Sequence, residues 1–196
     1  MSDDVGVPQH SGRHRPAAGV GWALPFYDTL SAAAGIRRVH RELLRGAGVE
    51  PGQLVLDIGC GTGSLTLLAK QAEPRAAVAG LDPDAAALER AVGKANDLAL
   101  DVRFEAGHGG SLPYAQGSVD RVLSAFVLHH LSSDERGRTL SEVRRVLRPG
   151  GSVHVVDFGK PEHLGGLLRA AGFPSGTTYR GSVMGLVPVG IVRAPA

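Results

Sequence analysis

The 196-residue chain has the length of one domain with a real core, and 43% of its residues are hydrophobic. Lys and Arg outnumber Asp and Glu by only 21 to 19 and are spread along the chain, which argues against a nucleic-acid-binding stripe. One cysteine excludes a disulfide framework and no apolar run is long enough to span a bilayer, so we expect a cytoplasmic protein without nucleic-acid or membrane partners.

The N-terminal quarter divides into a polar arm and a helical segment. Residues 1–20 are rich in Gly, Pro, His and Arg, which predicts a disordered arm. Apolar residues then dominate, and Ile36 to Ala47 repeats them at helical spacing. We therefore predict helices across residues 21–50, followed by an α/β core at residues 51–196, within a single domain spanning 21–196.

A glycine-rich turn follows the first predicted strand, Leu54 to Ile58. The sequence there is Asp57-Ile58-Gly59-Cys60-Gly61-Thr62-Gly63, and Ser64 to Lys70 then has a helical pattern. Glycines permit a sharp turn and let a ligand approach the bare backbone, so Gly59, Cys60 and Gly61 are predicted to bind it. A strand, a glycine turn and a helix predict the nucleotide-binding corner of a doubly wound sheet.

The glycine spacing and the preceding acid indicate which nucleotide this corner binds. Pyrophosphate-binding turns use G-x-G-x-x-G, whereas this turn is G-x-G-x-G, and no Gly-Lys-Ser/Thr follows as in a phosphate loop. The Asp57 carboxylate would repel a pyrophosphate and attract a cation. S-adenosylmethionine fits this pattern, with its ammonium near Asp57, its carboxylate at the helix N-terminus and its sulfonium between them.

A second acid lies at the end of the second predicted strand, Ala76 to Leu81. Asp82 follows the glycine turn by about 20 residues, which is where an acid accepts hydrogen bonds from both ribose hydroxyls. Asp82 and the adjoining Pro83 are therefore predicted to bind the cofactor. The alternative is that Asp82 caps the next helix, Ala85 to about Leu98, with Pro83 at its first position.

The remaining pattern predicts a doubly wound, mostly parallel seven-stranded α/β sheet with a C-terminal antiparallel hairpin. The further strands are predicted at residues 102–106, 119–125, 152–158, 177–183 and 187–193, with helices at 134–147 and 164–171. Backbone groups near Ser124, at the carboxyl end of the fourth strand, should face the ligand. The charged residues of the helix at 134–147 are predicted to form a solvated face.

Five ordered motifs resemble those of the class I S-adenosylmethionine-dependent methyltransferases, and most closely the quinone-biosynthesis and small-molecule branch. They are Asp57-x-Gly59-x-Gly61-x-Gly63, Gly80-Leu81-Asp82-Pro83, Leu112-Pro113-Tyr114, Val127-Leu128-His129-His130-Leu131 and Leu147-Arg148-Pro149-Gly150-Gly151. The resemblance covers roughly residues 25–193. It implies a Rossmann-like fold, S-adenosylmethionine as cofactor, and methyl transfer to an oxygen, carbon or nitrogen of a small molecule. The alternative is a non-methylating cyclase or binding or scaffold protein that keeps the cofactor pocket.

The resemblance also implies roles for less obvious positions. Phe26-Tyr27-Asp28 resembles the segment that folds over the methionine arm, where Tyr27 would contact the sulfonium by a cation–π interaction or else belong to the core. After the third strand the family usually has an acid that accepts from the adenine amino group. Here that position is His108, followed by Gly109, which predicts weaker or pH-sensitive binding unless His108 faces water.

Histidines after the fourth strand are the candidates for proton transfer. His129 lies within plausible reach of the methyl carbon, and it is predicted as a base or an orienting residue unless it is only structural. Asp157, at the end of the fifth strand, is a weaker candidate. No metal site is expected, because the histidines lack ligand spacing and carboxylate partners. The family's usual substrate-covering insertion after the fifth strand is almost absent, which predicts an open face or one closed by the first helices or by the second subunit of a homodimer.

Overall fold

The computed structural model describes residues 35–183 and 187–196. The helices are α1 (Ile36–Ala47), α2 (Ser64–Ala72), α3 (Ala85–Asp97), α4 (Ser133–Val146) and α5 (Pro161–Ala170), with a 3-10 turn at Leu128–His130. The strands are β1 (Leu54–Ile58), β2 (Ala77–Asp82), β3 (Arg103–Ala106), β4 (Val119–Ala125), β5 (Leu147–Phe158), β6 (Thr177–Val183) and β7 (Val187–Pro195). The predicted arm, the first predicted helix and Tyr27 lie outside the described ranges.

The strands form one seven-stranded sheet in the order β3-β2-β1-β4-β5-β7-β6. The first five are parallel, and β7 pairs antiparallel with both β5 and β6. The predicted fold class is therefore confirmed. The sheet order reverses direction between β1 and β4, and the carboxyl ends of these strands form the edge where open α/β sheets bind ligands.

Apolar side chains cover both faces of the sheet. One core joins α4 and α5 to alternate residues of the central strands, such as Leu56 and Val122. The other joins α1 and α2 to the intervening residues, such as Val55 and Leu123. Because successive strand residues point to opposite faces, consecutive apolar residues such as Leu54–Leu56 and Val122–Leu123 supply both cores.

Local capping fixes where the helices begin. The Ser132 hydroxyl accepts from the Glu135 backbone N–H and the Glu135 carboxylate accepts in return, which forms a capping box before α4. Asp84 caps α3, and its Oδ1 accepts from the N–H groups of Ala86 and Ala87 at 2.9 and 3.2 Å. Pro161 opens α5 three residues earlier than predicted, since proline tolerates the first helical position.

The fifth strand begins earlier than the sequence predicts. We expected a turn at Arg148–Gly151, but β5 already starts at Leu147, which pairs with Val119 before a register shift. Gly150 adopts φ 80, a backbone conformation that favours glycine and bends the strand here. An ion pair between Arg148 and the buried Asp120 holds this irregular start against β4.

The expectation of a fully solvated charged face on α4 is wrong for three of its residues. Arg136 donates to the Leu131 carbonyl at 3.0 Å, and its Nε is buried. Arg145 donates to the carbonyls of Tyr114 and Leu112 at 2.8 and 3.1 Å, and Glu142 accepts from the Leu112 N–H at 2.8 Å. The two side chains also pair with each other at 2.7 Å. They anchor the loop between β3 and β4, whose backbone groups require partners that the sheet does not supply. Within the part of the chain that the structure describes, no helix is long and apolar enough to cross a bilayer.

Candidate functional site

The glycine turn is tied to the end of β2 through its backbone. The N–H groups of Gly59 and Cys60 both donate to the Leu81 carbonyl, at 2.8 and 3.1 Å. Gly59 has φ 70, and a Cβ on it would lie 2.3 Å from the nearest methyl carbon of Val127. Only glycine therefore fits here, because both the conformation and the close approach of the segment after β4 exclude a side chain.

Cys60 turns its side chain away from the ligand edge. The residue is 8% exposed, and a Cβ on Gly80 would lie 2.8 Å from its sulfur. Burial raises the pKa of the thiol above its usual value. A ligand at this turn would therefore meet the backbone of Cys60 and not its sulfur.

The next positions of the turn leave room for a ligand. Gly61 has φ 52, and a Cβ on it would meet nothing within 4 Å. Gly63 is the N-cap residue of α2 and brings no side-chain oxygen to the first turn of that helix. The helix dipole and its first N–H groups favour a negative group at this end.

Asp57 lies behind the turn, against α2. It is 1% exposed, and its Oδ2 accepts from the Thr66 hydroxyl at 2.6 Å. Burial raises the pKa of Asp57 to about 7, with a further contribution from the charge of Asp82, while the Thr66 hydrogen bond opposes the shift. The sequence analysis did not identify Thr66, although its place in the first turn of α2 is the signal that would have suggested it.

Asp82 faces the glycine turn. It is 9% exposed, with Oδ2 accepting from the Gly61 N–H at 2.8 Å and Oδ1 accepting from the Asp84 N–H at 2.9 Å. Burial raises its pKa. The capping alternative for Asp82 fails, because Asp84 caps α3 and the helix starts at Ala85. A carboxylate has about four acceptor positions, so two remain for a ligand.

The other predicted residues of this edge lie around Asp82. Pro83 follows it directly and is exposed. His108 is exposed too, and its charge lowers the pKa of Asp82, which places the imidazole beside that carboxylate. Gly109 packs on α4 instead, since a Cβ on it would lie 2.7 Å from the Thr139 methyl carbon.

Ser124 points its hydroxyl into the core. The side chain is buried, and its Oγ has no hydrogen-bond partner among the described atoms. It lines an internal cavity of about 10 Å³ with Leu128, Thr139 and Leu140, on the α4 side of the sheet. Only the backbone of Ser124 is therefore available to a ligand at the sheet edge, as the sequence analysis expected.

His129 and Asp157 form a hydrogen-bonded pair at the carboxyl ends of β4 and β5. The distance from His129 Nδ1 to Asp157 Oδ1 is 2.7 Å, and the His129 backbone N–H donates to Oδ2 at 3.0 Å. The Phe158 N–H donates to Oδ1 at 2.7 Å. The Asp157 carboxylate is nearly buried, whereas 33% of the His129 side chain is exposed. The sequence analysis named Asp157 as a weaker candidate and did not predict that it pairs with His129, which lies 28 residues away in the sequence.

Aromatic rings surround this pair. The Phe158 ring centroid lies 5.0 Å from that of His129 and 4.9 Å from that of Phe126, and the His130 centroid lies 3.8 Å from that of His129. Phe158 is 47% exposed, so a large apolar face is open at the rim. Phe126 has φ 60, which is unusual for a bulky residue, and such outliers are concentrated at functional sites.

The rim carries little additional chain. Only Gly159 and Lys160 separate β5 from α5, so the short connection predicted after the fifth strand is present. Across residues 35–183 and 187–196, no three His, Cys, Asp or Glu side chains are grouped to hold a metal ion.

Comparisons with known proteins agree with this geometry. Residues 55–151 match a family model described as a methyltransferase domain. The chain is 34% identical over 143 residues to the demethylmenaquinone methyltransferase of Symbiobacterium thermophilum, covering 69% of this chain and 55% of that protein. It is 36% identical over 121 residues to the ubiquinone/menaquinone biosynthesis C-methyltransferase of Bdellovibrio bacteriovorus, covering 62% and 51%. The chain thus spans about half the length of these curated relatives.

Solved structures share the fold at low sequence identity. A SAM-dependent methyltransferase from Aquifex aeolicus superposes with a TM-score of 0.68 at 22% identity, covering 80% of this chain and 89% of that one. The [4+2]-cyclase SpnF superposes with a TM-score of 0.72 at 20% identity, covering 81% and 80%. The family model, the curated relatives and the fold agree, and the chain belongs to the class I S-adenosylmethionine-dependent methyltransferase family.

Proposed function

We propose that the protein transfers a methyl group from S-adenosylmethionine to a small-molecule acceptor. The observation that carries this proposal is the position of Asp82, whose carboxylate joins the end of β2 to Gly61 and keeps acceptor capacity at the ligand edge. That position suits the two hydroxyls of a ribose. The open space over Gly61 suits the bulk of the same nucleoside.

The residues present fit this cofactor. Asp82 would hold the ribose, and the backbone of Gly59, Cys60 and Gly61 would line the methionine arm. The uncapped first turn of α2 would favour the cofactor carboxylate. When bound, S-adenosylmethionine supplies a methyl carbon that is already activated by its sulfonium, so the protein mainly positions the acceptor and excludes water.

The contacts predicted for His108, Pro83, Gly109 and Asp57 are part of the same proposal. His108 beside Asp82 would reach the adenine base, and the exposed Pro83 would line the wall around it. Gly109 packs on Thr139 of α4 and would contact the cofactor only through its backbone. Asp57 would act on the ammonium from behind the turn, since its Thr66 bond and its burial leave it little direct access.

The relatives suggest which acceptor to try first. Their names place them in the biosynthesis of menaquinone and ubiquinone, and one is named a C-methyltransferase. A reduced quinone ring is flat and apolar, which suits the exposed face of Phe158 beside His129. We propose a reduced quinone or a related hydroxylated ring, with methylation at carbon or oxygen. A cytoplasmic location and a homodimer stay predictions from the sequence.

The alternative is a member of the fold that binds the cofactor without methyl transfer. A cyclase is among the similar structures, but at 20% identity it supports the fold alone. His129 and its partner favour the enzyme, because an exposed imidazole held by a buried carboxylate is an arrangement suited to proton transfer. We therefore put the transferase first.

Calorimetry with S-adenosylhomocysteine tests the cofactor pocket. Wild-type protein should bind, and Asp82→Asn should weaken binding by about 100-fold, because two hydrogen bonds to a charged acceptor are weakened. Asp84→Asn is the matched control, since its carboxylate caps α3 and faces no ligand. Absence of binding to the wild type at millimolar ligand would rule out the proposed function.

Transfer of a labelled methyl group tests the reaction itself. S-adenosylmethionine carrying the label would be incubated with 1,4-dihydroxynaphthalene under reducing conditions, and the product ring would be identified by mass spectrometry. Labelled product supports the transferase. A protein that binds S-adenosylhomocysteine but labels neither this ring nor any acceptor in a cell extract would favour the non-methylating alternative.

A further inference from the structure

The Asp157 carboxylate has three hydrogen-bond contacts, two with His129 after β4 and one with Phe158 at the end of β5. Its donors are the His129 backbone N–H at 3.0 Å, the His129 Nδ1 at 2.7 Å and the Phe158 N–H at 2.7 Å. It is 5% exposed at the end of β5. A buried carboxylate with several hydrogen-bond contacts is held in one orientation.

This arrangement determines which nitrogen of His129 carries the proton. Both Asp157 oxygens already accept a backbone N–H, so the carboxylate is the acceptor and Nδ1 the donor in the 2.7 Å contact. In the neutral ring Nε2 is then the acceptor. Nε2 points away from Asp157 by the geometry of the ring, and within the described ranges it makes no hydrogen bond to the protein.

From this geometry we infer that Asp157 is a positioning residue that fixes His129 as the Nδ1–H tautomer, so that Nε2 takes the proton of a hydroxyl-bearing acceptor. The inference rests on the proposed function and extends it to a class of acceptor. A phenol, an enol or a hydroxylated ring must lose a proton when it is methylated, whereas a neutral amine already presents its lone pair. Among the described residues at the ends of β4 and β5, His129 is the imidazole that a carboxylate holds in place.

The proton and electron balance of the step is complete within these groups. The acceptor atom bonds to the methyl carbon as the carbon–sulfur bond breaks, and that electron pair stays on sulfur. The acceptor's proton passes to His129 Nε2, which makes an imidazolium, and the hydrogen bond from Nδ1 to the Asp157 carboxylate stabilises that charge. The imidazolium then returns its proton to solvent through the exposed part of the ring.

The competing explanation is that Asp157 only supports the fold. Two of its three donors are backbone N–H groups, so its loss would also loosen the turn after β4. Asp120 is the matched control, because it is 6% exposed, lies at the start of β4 on the opposite edge, and also accepts a backbone N–H. Substituting Asp120 removes a buried carboxylate but leaves the contacts of His129 unchanged.

Long-range proton–nitrogen NMR of histidine-labelled protein at pH 8 tests the tautomer without any acceptor. The His129 signals are assigned by their loss in His129→Gln. We expect a protonated Nδ1 and an unprotonated Nε2 in the wild type, and loss of this preference in Asp157→Ala but not in Asp120→Ala. A wild-type ring protonated at Nε2, or one unchanged in Asp157→Ala, would overturn the inference.

Methyl transfer to paired acceptors tests the base. The pair is 2-naphthol and 2-naphthylamine, which share a ring and differ in whether the step requires loss of a proton. His129→Gln and Asp157→Asn should lower kcat for the naphthol by about 100-fold to 1000-fold while KM changes by less than about 3-fold. Asn replaces Asp157 here because it keeps the shape, although only one of its two terminal atoms accepts.

The outcomes separate this inference from the proposed function. Transfer to 2-naphthylamine alone, or equal losses on both acceptors, would overturn the base assignment while leaving the transferase intact. Failure to bind S-adenosylhomocysteine would defeat the proposed function, and the NMR result would still decide the tautomer. If neither ring is methylated, the NMR result decides alone, with Nδ1–H supporting the inference and Nε2–H overturning it.

Discussion

Two buried aspartates, Asp57 on β1 and Asp157 on β5, lie near the carboxyl ends of strands in the same sheet but differ in their hydrogen-bond partners. Asp57, at β1, is 1% exposed and accepts a hydroxyl from Thr66, and burial raises its pKa to about 7. Asp157, at β5, is 5% exposed and accepts three N–H groups. Desolvation therefore acts on Asp57 against a single side-chain hydrogen bond, whereas Asp157 has contacts on both of its oxygens.

The contrast extends to the two regions that these residues belong to. The cofactor edge, which comprises the glycine turn and the ends of β2 and β3, presents mostly backbone and is shaped by what glycine permits. The acceptor edge, which comprises the ends of β4 and β5, presents an oriented side-chain pair and aromatic rings. The first is specified by local sequence and the second by contacts between distant residues, so different substitutions should break them.

The largest expected effect comes from Gly59, where the two edges touch. Gly59→Ala should lower the free energy of unfolding by about 5 kcal/mol, because it adds a left-handed alanine and a clash with Val127 at 2.3 Å. Urea unfolding measures the loss. A loss of that size would show that the two edges form one tightly packed unit.

Gly52→Ala is the control for backbone strain alone. Gly52 also has a positive φ, of 80°, but a Cβ there meets nothing within 4 Å, so about 1 kcal/mol is expected. Adding Val127→Ala to Gly59→Ala should recover part of the loss, since it removes the two closest methyl carbons. If Gly59→Ala lowers the free energy of unfolding no more than Gly52→Ala does, the close contact between the edges does not contribute to stability.

The next effect sharpens the comparison of the two aspartates. The pKa of Asp57 is about 7 in the folded protein, whereas an aspartate ordinarily titrates at 3.8, so the folded state binds the proton more tightly. Its contribution to stability is therefore present below the unfolded value and is lost as the pH rises towards 7. Asp57→Asn should gain about 4 kcal/mol on the wild type between pH 4 and pH 8.

The difference between variant and wild type is the quantity to measure by urea unfolding. Burial lowers the pKa of His40 to about 4 and that of His154 to about 3, so both histidines reduce stability in acid and would mask Asp57 in the wild type alone. Thr66→Val removes a bond that favours the ionised carboxylate and should steepen the dependence. A difference that stays constant with pH would mean that Asp57 is ionised throughout.

A smaller effect concerns the loop that supports the cofactor edge. Arg145→Met removes the donors to the Leu112 and Tyr114 carbonyls, and we expect a loss of about 2 kcal/mol by urea unfolding. Arg138→Met is the control on the exposed side of α4, with a change within about 0.5 kcal/mol. Equal effects of the two would mean that the loop is held by its apolar contacts alone.

The smallest effect tests His108, where the family usually has an acid. A neutral imidazole accepts a hydrogen bond and a protonated one does not, so S-adenosylhomocysteine should bind about 3-fold to 10-fold more weakly at pH 5.5 than at pH 8. His108→Asp should reduce that difference, and the remainder comes from Asp57, whose pKa of about 7 lies in the same pH range. Equal affinities of the wild type at the two pH values would show that His108 does not contact the cofactor.

Much of the fold could be predicted because its signals are local. Glycine spacing located the turn, the apolar run before it located β1, and the predicted start of α3 at Ala85 agrees with the structure. The bounds of α1 and β6 agree with the prediction in full. These features depend on neighbours within a few residues.

The rest required contacts that no local pattern encodes. His129 and Asp157 are hydrogen-bonded although they are 28 residues apart in the sequence, and Arg145 is 33 residues from Leu112, whose carbonyl it bonds. Periodicity placed Arg145 on a polar face, which is true of its helix but silent on what lies opposite. The alternative role of Asp82 as a helix cap also failed, because only the structure shows which of two nearby acids caps α3.

The packing of Cys60 provides a reporter that needs no engineering. It is the chain's one cysteine, and its sulfur lies between Gly80 and the turn where a thiol reagent cannot reach it. Burial also keeps it in the unreactive thiol form. The rate of its modification by a disulfide reagent should therefore count how often the turn opens, and ligands that hold the turn shut should slow that rate in proportion to their occupancy.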